Sequence, residues 1–183
     1  MKSEWKKVEE VVKGGGIAVI PTDTLYGIVT SAFDKKAVEH IYEIKGRDDD
    51  KPFIILIADI RDLEKFGIKK SLYIKYSDVF KPKTSVILPC KIAKFKYLHR
   101  GKNSLAFRMI SKRNGHLYKL IKKIGPLVAP SANPQGKDPA RNRREARAYF
   151  GNKIDAYVCY GTRSGKPSTI ISLVNGKPVL MRK

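Results

Sequence analysis

The chain has 183 residues, 42% hydrophobic and 30% charged, and its 38 lysines and arginines against 17 acidic residues give a formal net charge of +21. These values are typical of one soluble globular domain, and no apolar run approaches the roughly 20 residues that cross a bilayer. The charged start lacks the apolar segment of a signal peptide, and Cys90 and Cys159 are isolated. A cytoplasmic protein without disulfides or membrane partners is therefore expected.

The positive charge is concentrated in two regions. Residues 65–102 carry 11 lysines and arginines with one acidic residue, interleaved with aromatic side chains, and "RNRREAR" (141–147) is a second basic cluster. Such clusters suit partners that carry phosphate, either nucleic acids or nucleotides. A surface solvated by lysine would have the same composition, so charge indicates an anionic partner without identifying it.

Apolar spacing and turn residues predict a series of helices and strands. The first half contains a helix at 3–13, a buried strand "IAVIP" (17–21), a helix capped by Asp34, a buried strand "FIILIA" (53–58), and helical segments at 61–66 and 71–80.

The second half predicts more strands than helices. In chain order these are strands at 84–90 and 104–110, a helix at 115–125, a strand at 126–130, a helix at 143–151, a strand at 155–160 and a hairpin at 168–182 with an Asn175–Gly176 turn. Irregular alternation of this kind predicts a single α/β domain over 1–183 with a mixed sheet.

Several familiar active-site patterns are absent from the sequence. The three histidines are scattered, and neither the GxSxG nor the GxGxxG pattern occurs. "GTRSGKPST" (161–169) resembles a P-loop, but its glycines are one residue too close and it leads into a strand instead of a helix. It is better described as a glycine-flanked loop that carries Arg163 and Lys166.

Polar residues collect where apolar strands end. "PTDTLYG" (21–27) and "SAN" (131–133) follow strands, "STI" (168–170) opens one, and Arg108 and Arg182 close two others. Each motif alone is also typical of a turn or cap. Together they predict a concave site of hydroxyls, amides and guanidinium groups without an obvious general base. Such a site suits the binding and alignment of polyanions.

Two interpretations of "IYEIKGRDDDKP" (41–52) remain open on the fragment alone. Lys45 and Arg47 can be charges at an exposed helix C-terminus, which Gly46 ends and whose dipole favours cations. Alternatively, they are the cations of a polyanion site.

The ordered motifs "PTDTLYG", "KGR" with "KP", "SAN", "STI" and "VLMR" resemble those of threonylcarbamoyl-adenylate synthases, which have a YrdC-type fold. The resemblance covers residues 14–182. It implies a twisted open mixed sheet with flanking helices and a deep positively charged cavity. It also implies condensation of L-threonine, bicarbonate and ATP to threonylcarbamoyl-AMP, with release of pyrophosphate. A transferase downstream uses that product to modify an adenosine in tRNA.

The resemblance also implies roles for individual residues. Lys45 and Arg47 are the catalytic candidates, and Mg²⁺ is expected to be carried by the ATP phosphates, without a protein metal site. Asp48, Asp49 and Asp50 are expected to form a solvated turn. The implied ATP-binding residues are Lys45, Arg47, Lys51, Ser104, Asn133, Arg141 and Arg182, and the implied L-threonine-binding residues are Thr24, Arg108, Ser131 and Ser168.

The sequence departs from the family pattern at two positions, and it is also compatible with other functions. Asp48 stands where many members have proline. Leu56 stands where some have histidine, so its substrate contact is expected to be through the backbone only or absent. A non-catalytic module that binds double-stranded RNA or tRNA is the main alternative, and a synthase can also bind RNA without sequence specificity. Carbamoyl-adenylate chemistry of larger maturation enzymes is disfavoured, because zinc-finger cysteines are missing.

Overall fold

The computed structural model describes residues 2–183, and one nine-stranded sheet forms its centre. The strands are β1 (Ala18–Pro21), β2 (Tyr26–Ser31), β3 (Ile54–Ile57), β4 (Thr84–Pro89), β5 (Ser104–Met109), β6 (Leu127–Val128), β7 (Ala156–Tyr157), β8 (Thr169–Ser172) and β9 (Val179–Arg182). The α-helices are α1 (Lys2–Lys13), α2 (Lys35–Lys45), α3 (Lys70–Lys75), α4 (Lys96–His99), α5 (Gly115–Ile124) and α6 (Arg143–Phe150).

The sheet is open and mixed. Its strand order is β7-β1-β2-β6-β3-β5-β4-β8-β9, with parallel pairs β1–β7, β3–β5 and β4–β8 and antiparallel pairs elsewhere. The predicted α/β class with a mixed sheet and flanking helices is confirmed. Among the described residues, no helix combines the length and hydropathy needed to cross a membrane.

Helix α2 forms and ends for the reasons that its sequence suggests. The Asp34 carboxylate accepts a hydrogen bond from the Ala37 amide at 3.0 Å, which caps the N-terminus. Gly46 ends the helix in the left-handed region, with φ of 56°, where a side chain would be strained. The buried face of α2 packs into the larger core cluster, while α1 and α5 cover a second cluster.

Several elements differ from the sequence prediction, and helix α4 is one that was not predicted. Strand β2 was not predicted, because Pro21 and Gly27 in "PTDTLYG" indicate a turn, whereas the residues after the turn pair with both β1 and β6. The predicted helix at 61–66 is a 3₁₀ segment, Ile60–Phe66. The predicted helical segment at 71–80 is split into α3 and a 3₁₀ turn, Ser77–Val79.

Candidate functional site

A cavity of about 390 Å³ opens where β1 gives way to β2. This volume lies within the range of about 300–1,000 Å³ typical of small-molecule sites. Seven of the eleven predicted site residues line it, although they come from widely separated parts of the chain. They are Thr24, Arg47, Ser104, Arg108, Ser131, Ser168 and Arg182.

Arg108 is held at the cavity wall by the loop between β1 and β2. Its Nε lies 3.3 Å from Asp23 Oδ1, and its Nη1 donates to Thr24 Oγ1 at 3.4 Å. Burial lowers the pKa of the Arg108 guanidinium, while the neighbouring Asp23 opposes that shift. Thr22 fixes the loop because its hydroxyl donates to the Leu25 carbonyl at 2.7 Å. An arginine guanidinium held in this way can bind a carboxylate through two parallel hydrogen bonds.

The opposite wall is formed by the strands at the far end of the sheet. The Ser85 and Ser168 hydroxyls lie 2.9 Å apart and share a hydrogen bond. Arg182 donates from Nε and Nη2 to the Ser168 carbonyl at 3.1 and 2.9 Å. The pairing of β4 with β8, and of β8 with β9, therefore brings Ser168 and Arg182 to the cavity.

Arg47 enters the cavity from the segment after α2. Its Nε donates to the Lys51 carbonyl at 3.1 Å, and its guanidinium lies 5.4 Å from the centre of the Phe53 ring. Burial lowers the pKa of Arg47. Phe53 and Lys102 also line the cavity, and Lys102 forms an ion pair with Asp50 at 3.1 Å.

Lys45 is buried, so one of the two interpretations of this fragment, an exposed charge at the helix C-terminus, is wrong for this residue. Its side chain turns inward, and its amine donates to the carbonyls of Ser131, at 2.6 Å, and Asn133. Burial, with a smaller contribution from the charge of Arg47, lowers the pKa of Lys45 to about 7. Lys45 lies outside the residues that line the cavity. It connects the end of α2 to the "SAN" segment, and its phosphate contact stays a prediction.

Three other predicted ATP residues also lie outside the cavity lining. The Asn133 side chain holds its own loop, because Oδ1 accepts from the Ser131 hydroxyl and Nδ2 donates to the Lys137 carbonyl, both at 2.6 Å. Lys51 Nζ forms an exposed ion pair with Asp48. Arg141 lines a neighbouring open cavity of about 810 Å³, which shares Leu25, Pro139 and Pro167 with the main cavity.

The acidic turn after Arg47 faces cations. Asp48 pairs with Lys51, Asp50 pairs with Lys102, and Asp49 lies 4.0 Å from Arg100. Within residues 2–183, no group of three or more His, Cys, Asp or Glu side chains is placed to hold a metal ion.

The glycine-flanked loop lies across the site and is tied to the "PTDTLYG" segment. The buried Tyr26 hydroxyl donates to the Gly161 carbonyl at 2.9 Å and accepts from the Tyr160 amide at 3.0 Å. Gly165 packs so closely on Thr24 that an added Cβ would lie 2.6 Å from the Thr24 carbonyl oxygen. This loop therefore touches the residues that hold Arg108.

Five further residues that build the site were not among the predicted ones. Asp23 and Tyr26 lie within the "PTDTLYG" motif itself, and an aspartate beside a predicted arginine site was a usable signal. Gln135 joins the "SAN" segment to the end of α2, since its amide donates to the Lys45 carbonyl and its side chain accepts from the Asp48 amide. Phe53 and Lys102 carried no distinct signal, because apolar and lysine residues are common at such positions.

The family model described as "Telomere recombination", named for Sua5, YciO and YrdC, matches residues 10–183. The chain is 32% identical over 98% of its length to a threonylcarbamoyl-AMP synthase from Pyrococcus abyssi and 36% identical over 91% to one from Bacillus subtilis. It spans only 54% and 49% of those two relatives. It spans 88% of a putative threonylcarbamoyl-AMP synthase from Methanocaldococcus jannaschii, at 31% identity.

Solved structures have the same fold. P. abyssi Sua5 complexed with L-threonine superposes with a TM-score of 0.85 at 31% identity, covering 98% of this chain and 54% of that one. Escherichia coli YciO superposes with a TM-score of 0.84, covering 100% of this chain and 90% of that one, and at 22% identity it supports the fold alone. The predicted resemblance is thereby confirmed, and the chain belongs to the Sua5/YciO/YrdC family.

Proposed function

We propose that this protein is an L-threonylcarbamoyladenylate synthase, a nucleotidyltransferase that joins L-threonine, bicarbonate and ATP. The threonine amine bonds to the carbon of bicarbonate, and water leaves. An oxygen of the resulting carbamate then bonds to the α-phosphorus of ATP, and pyrophosphate leaves. The product, threonylcarbamoyl-AMP, would supply a tRNA-modification transferase.

One observation carries this proposal. Arg47, Arg108 and Arg182 converge on a single cavity that is also lined by hydroxyls, and among the described residues no carboxylate lines it. Guanidinium groups hold carboxylate and phosphate oxygens in pairs, and fixed cations stabilise charge that develops on a phosphoryl group. The cavity can therefore bind and align a threonyl carbamate and a triphosphate.

The cavity suggests a division of roles. Arg108 and Thr24 would hold the threonine carboxylate, with Ser131 and Ser168 nearby, while Arg47 and Arg182 would face the phosphates. Ser104, Lys51, Asn133 and Arg141 are the further ATP candidates. Lys45 would act through the Ser131 and Asn133 carbonyls that it holds. Mg²⁺ would arrive on the ATP phosphates, which suits a site whose nearest aspartates already face cations.

The test is an incubation with ATP, L-threonine and bicarbonate while pyrophosphate is measured. Release that requires all three substrates supports the proposal. Release without threonine or bicarbonate, or no release at all, contradicts it. L-serine is the matched control, because the lost methyl group is worth roughly 1–3 kcal/mol and slower but measurable turnover is expected. RNA binding without catalysis rests on the net charge of +21 alone.

A further inference from the structure

Two aromatic rings and two arginines pack together beside the main cavity. The rings of Tyr42 and Phe53 are stacked, with centroids 3.9 Å apart and planes inclined by 19°. The guanidinium of Arg100 lies 3.8 Å from the Tyr42 ring centroid, and that of Arg47 lies over Phe53. Because Phe53 and Arg100 are both within 4 Å of the Tyr42 ring centre, they occupy its opposite faces. These four residues are called the cation–aromatic stack below.

One carbonyl connects the cation–aromatic stack to the orientation of Arg47. The Lys51 carbonyl accepts from the Tyr42 hydroxyl at 3.0 Å and from Arg47 Nε at 3.1 Å. Since Nε is occupied by this bond, the terminal nitrogens of Arg47 remain to hold two oxygens of an anion. The direction in which the Arg47 guanidinium points therefore depends on the position in which the Tyr42 hydroxyl holds the Lys51 carbonyl.

Arg100 is fixed in its place by unusual backbone geometry and by burial. Its φ of 49° and ψ of 40° are left-handed, a conformation that non-glycine residues seldom adopt. Its side chain is 11% exposed, and its Nη2 lies 2.6 Å from Glu39 Oε2 on α2. Strained conformations persist where surrounding contacts determine them, and here those contacts press Arg100 onto Tyr42.

We propose that Tyr42 and Arg100 are positioning residues for Arg47. Arg100 and Phe53 hold the Tyr42 ring between them, the Tyr42 hydroxyl holds the Lys51 carbonyl, and that carbonyl directs the Arg47 guanidinium into the cavity. This inference rests on the proposed synthase function, because it assigns Arg47 to the reacting phosphate. A misdirected guanidinium would stabilise the transition state poorly while ATP still bound through its other contacts.

The first test uses conservative variants with matched controls. Tyr42→Phe removes the hydroxyl and keeps the ring, and Arg100→Lys keeps the charge and removes the planar group that stacks. Arg147 and Tyr157 form a second cation–π pair, at 5.0 Å, outside the cavity lining, so Arg147→Lys and Tyr157→Phe are the controls. Both test variants should lower kcat for pyrophosphate release about tenfold, with the KM for ATP within about twofold of the parent. The controls should change neither.

A double-mutant cycle separates positioning from a general loss of stability. Lysine at position 47 has no Nε, so the Lys51 carbonyl cannot direct it in the same way. Tyr42→Phe should therefore add no further loss of kcat in the Arg47→Lys background. A further tenfold loss in that background would show that Tyr42 acts by another route and would overturn the proposal.

A measurement without turnover separates this inference from the function on which it rests. The Arg47 Nε–H signal in a ¹⁵N–¹H spectrum is assigned by its absence in Arg47→Lys. Tyr42→Phe should shift or broaden that signal, and Tyr157→Phe should leave it unchanged. An unmoved signal overturns the positioning role, as does a moved signal with an unchanged kcat. If the parent releases no pyrophosphate, the proposed function fails and the signal alone decides the positioning role.

Discussion

Arg108 and Asp23 form a buried ion pair, with Nε and Oδ1 3.3 Å apart and with side chains only 5% and 7% exposed. Removing one partner of such a pair leaves the other charge uncompensated in a poorly solvated place. The pair also holds Arg108 against Thr24. Asp23 therefore contributes both to folding and to the proposed threonine site.

Asp23→Asn is expected to lower the free energy of unfolding by about 3–5 kcal/mol, because the Arg108 charge stays buried without its partner. Urea unfolding measures the change. Glu10→Gln is the control, since its ion pair with Lys6 is exposed and pairs of that kind contribute about 0–1 kcal/mol. Equal effects of the two substitutions would contradict the assignment.

Lys45→Ala and Arg47→Ala should separate folding from chemistry. Lys45→Ala leaves the Ser131 and Asn133 carbonyls without a donor, at about 1–3 kcal/mol each, so the melting temperature should fall. Arg47→Ala should melt close to the parent and reduce pyrophosphate release by two to three decades, about 3–4 kcal/mol. A normal melt for Lys45→Ala, or near-parent turnover for Arg47→Ala, would contradict the respective role.

Lys45 should give the stability of the protein a specific pH dependence. Its pKa is about 7 in the folded state, against an ordinary value of 10.5. Between these values the unfolded chain binds the proton and the folded chain does not, so this residue makes stability increase with pH across that window. Below pH 7 both states are protonated, and the penalty for burying the charge is complete. Urea unfolding at several pH values measures the free energy of unfolding of the parent and of Lys45→Met. Between about pH 7 and 10.5 this free energy should increase in the parent by an amount that is missing in Lys45→Met. The same pH dependence in both proteins would contradict the prediction.

Gly165→Ala should disturb the threonine site without unfolding the protein. The new Cβ would lie 2.6 Å from the Thr24 carbonyl oxygen, so the loop or Thr24 must move. The KM for threonine is expected to increase about tenfold, because a small misplacement of Thr24 and Arg108 weakens an oriented contact. At Gly14 an added Cβ would meet only ordinary contacts, at 3.4 Å or more, so Gly14→Ala is the control. An unchanged KM for threonine would show that the loop does not influence the threonine site.

Any RNA binding is expected to be electrostatic. Lys91, Lys94 and Lys96 are exposed in the basic 65–102 region, and each phosphate contact adds to the salt dependence of the affinity. Filter binding of double-stranded RNA should weaken steeply as salt rises, and changing these three lysines to Gln should make the dependence shallower. An affinity that does not change with salt, or that is specific for one RNA sequence, would contradict electrostatic binding.

The sequence predicted most elements because their signals were local. Asp34 and Gly46 marked the ends of α2, and the terminal hairpin pairs as β8 with β9, although its strands are shorter than predicted. Strand β2 was not predicted because turn residues dominate its short segment, but it pairs with β1, its neighbour in the sequence, and with β6, about 100 residues later. Tertiary pairing of this kind overrides local preference.

The sequence predicted which residues belong to the candidate site better than it predicted how their side chains are placed. Arg108 and Ser168 lie at the cavity as expected, because residues at strand ends are placed by the sheet itself. The inward turn of Lys45 was not predictable from helix periodicity, because the carbonyls that receive it lie 86 and 88 residues away. Leu56, whose role was in doubt, is wholly buried, and its side chain lies outside the cavity lining.

The Tyr26 hydroxyl joins residues 135 positions apart, and this distance has a consequence for folding. The cavity walls come from segments that meet only after strands distant in the sequence have paired, a topology of high contact order that folds slowly. In a partly synthesised or partly folded chain the cavity is therefore not formed, and a substrate cannot bind. A substrate that binds there would stabilise the completed sheet as a whole, and would couple the concentration of the ligand to the fraction of chains that stay folded.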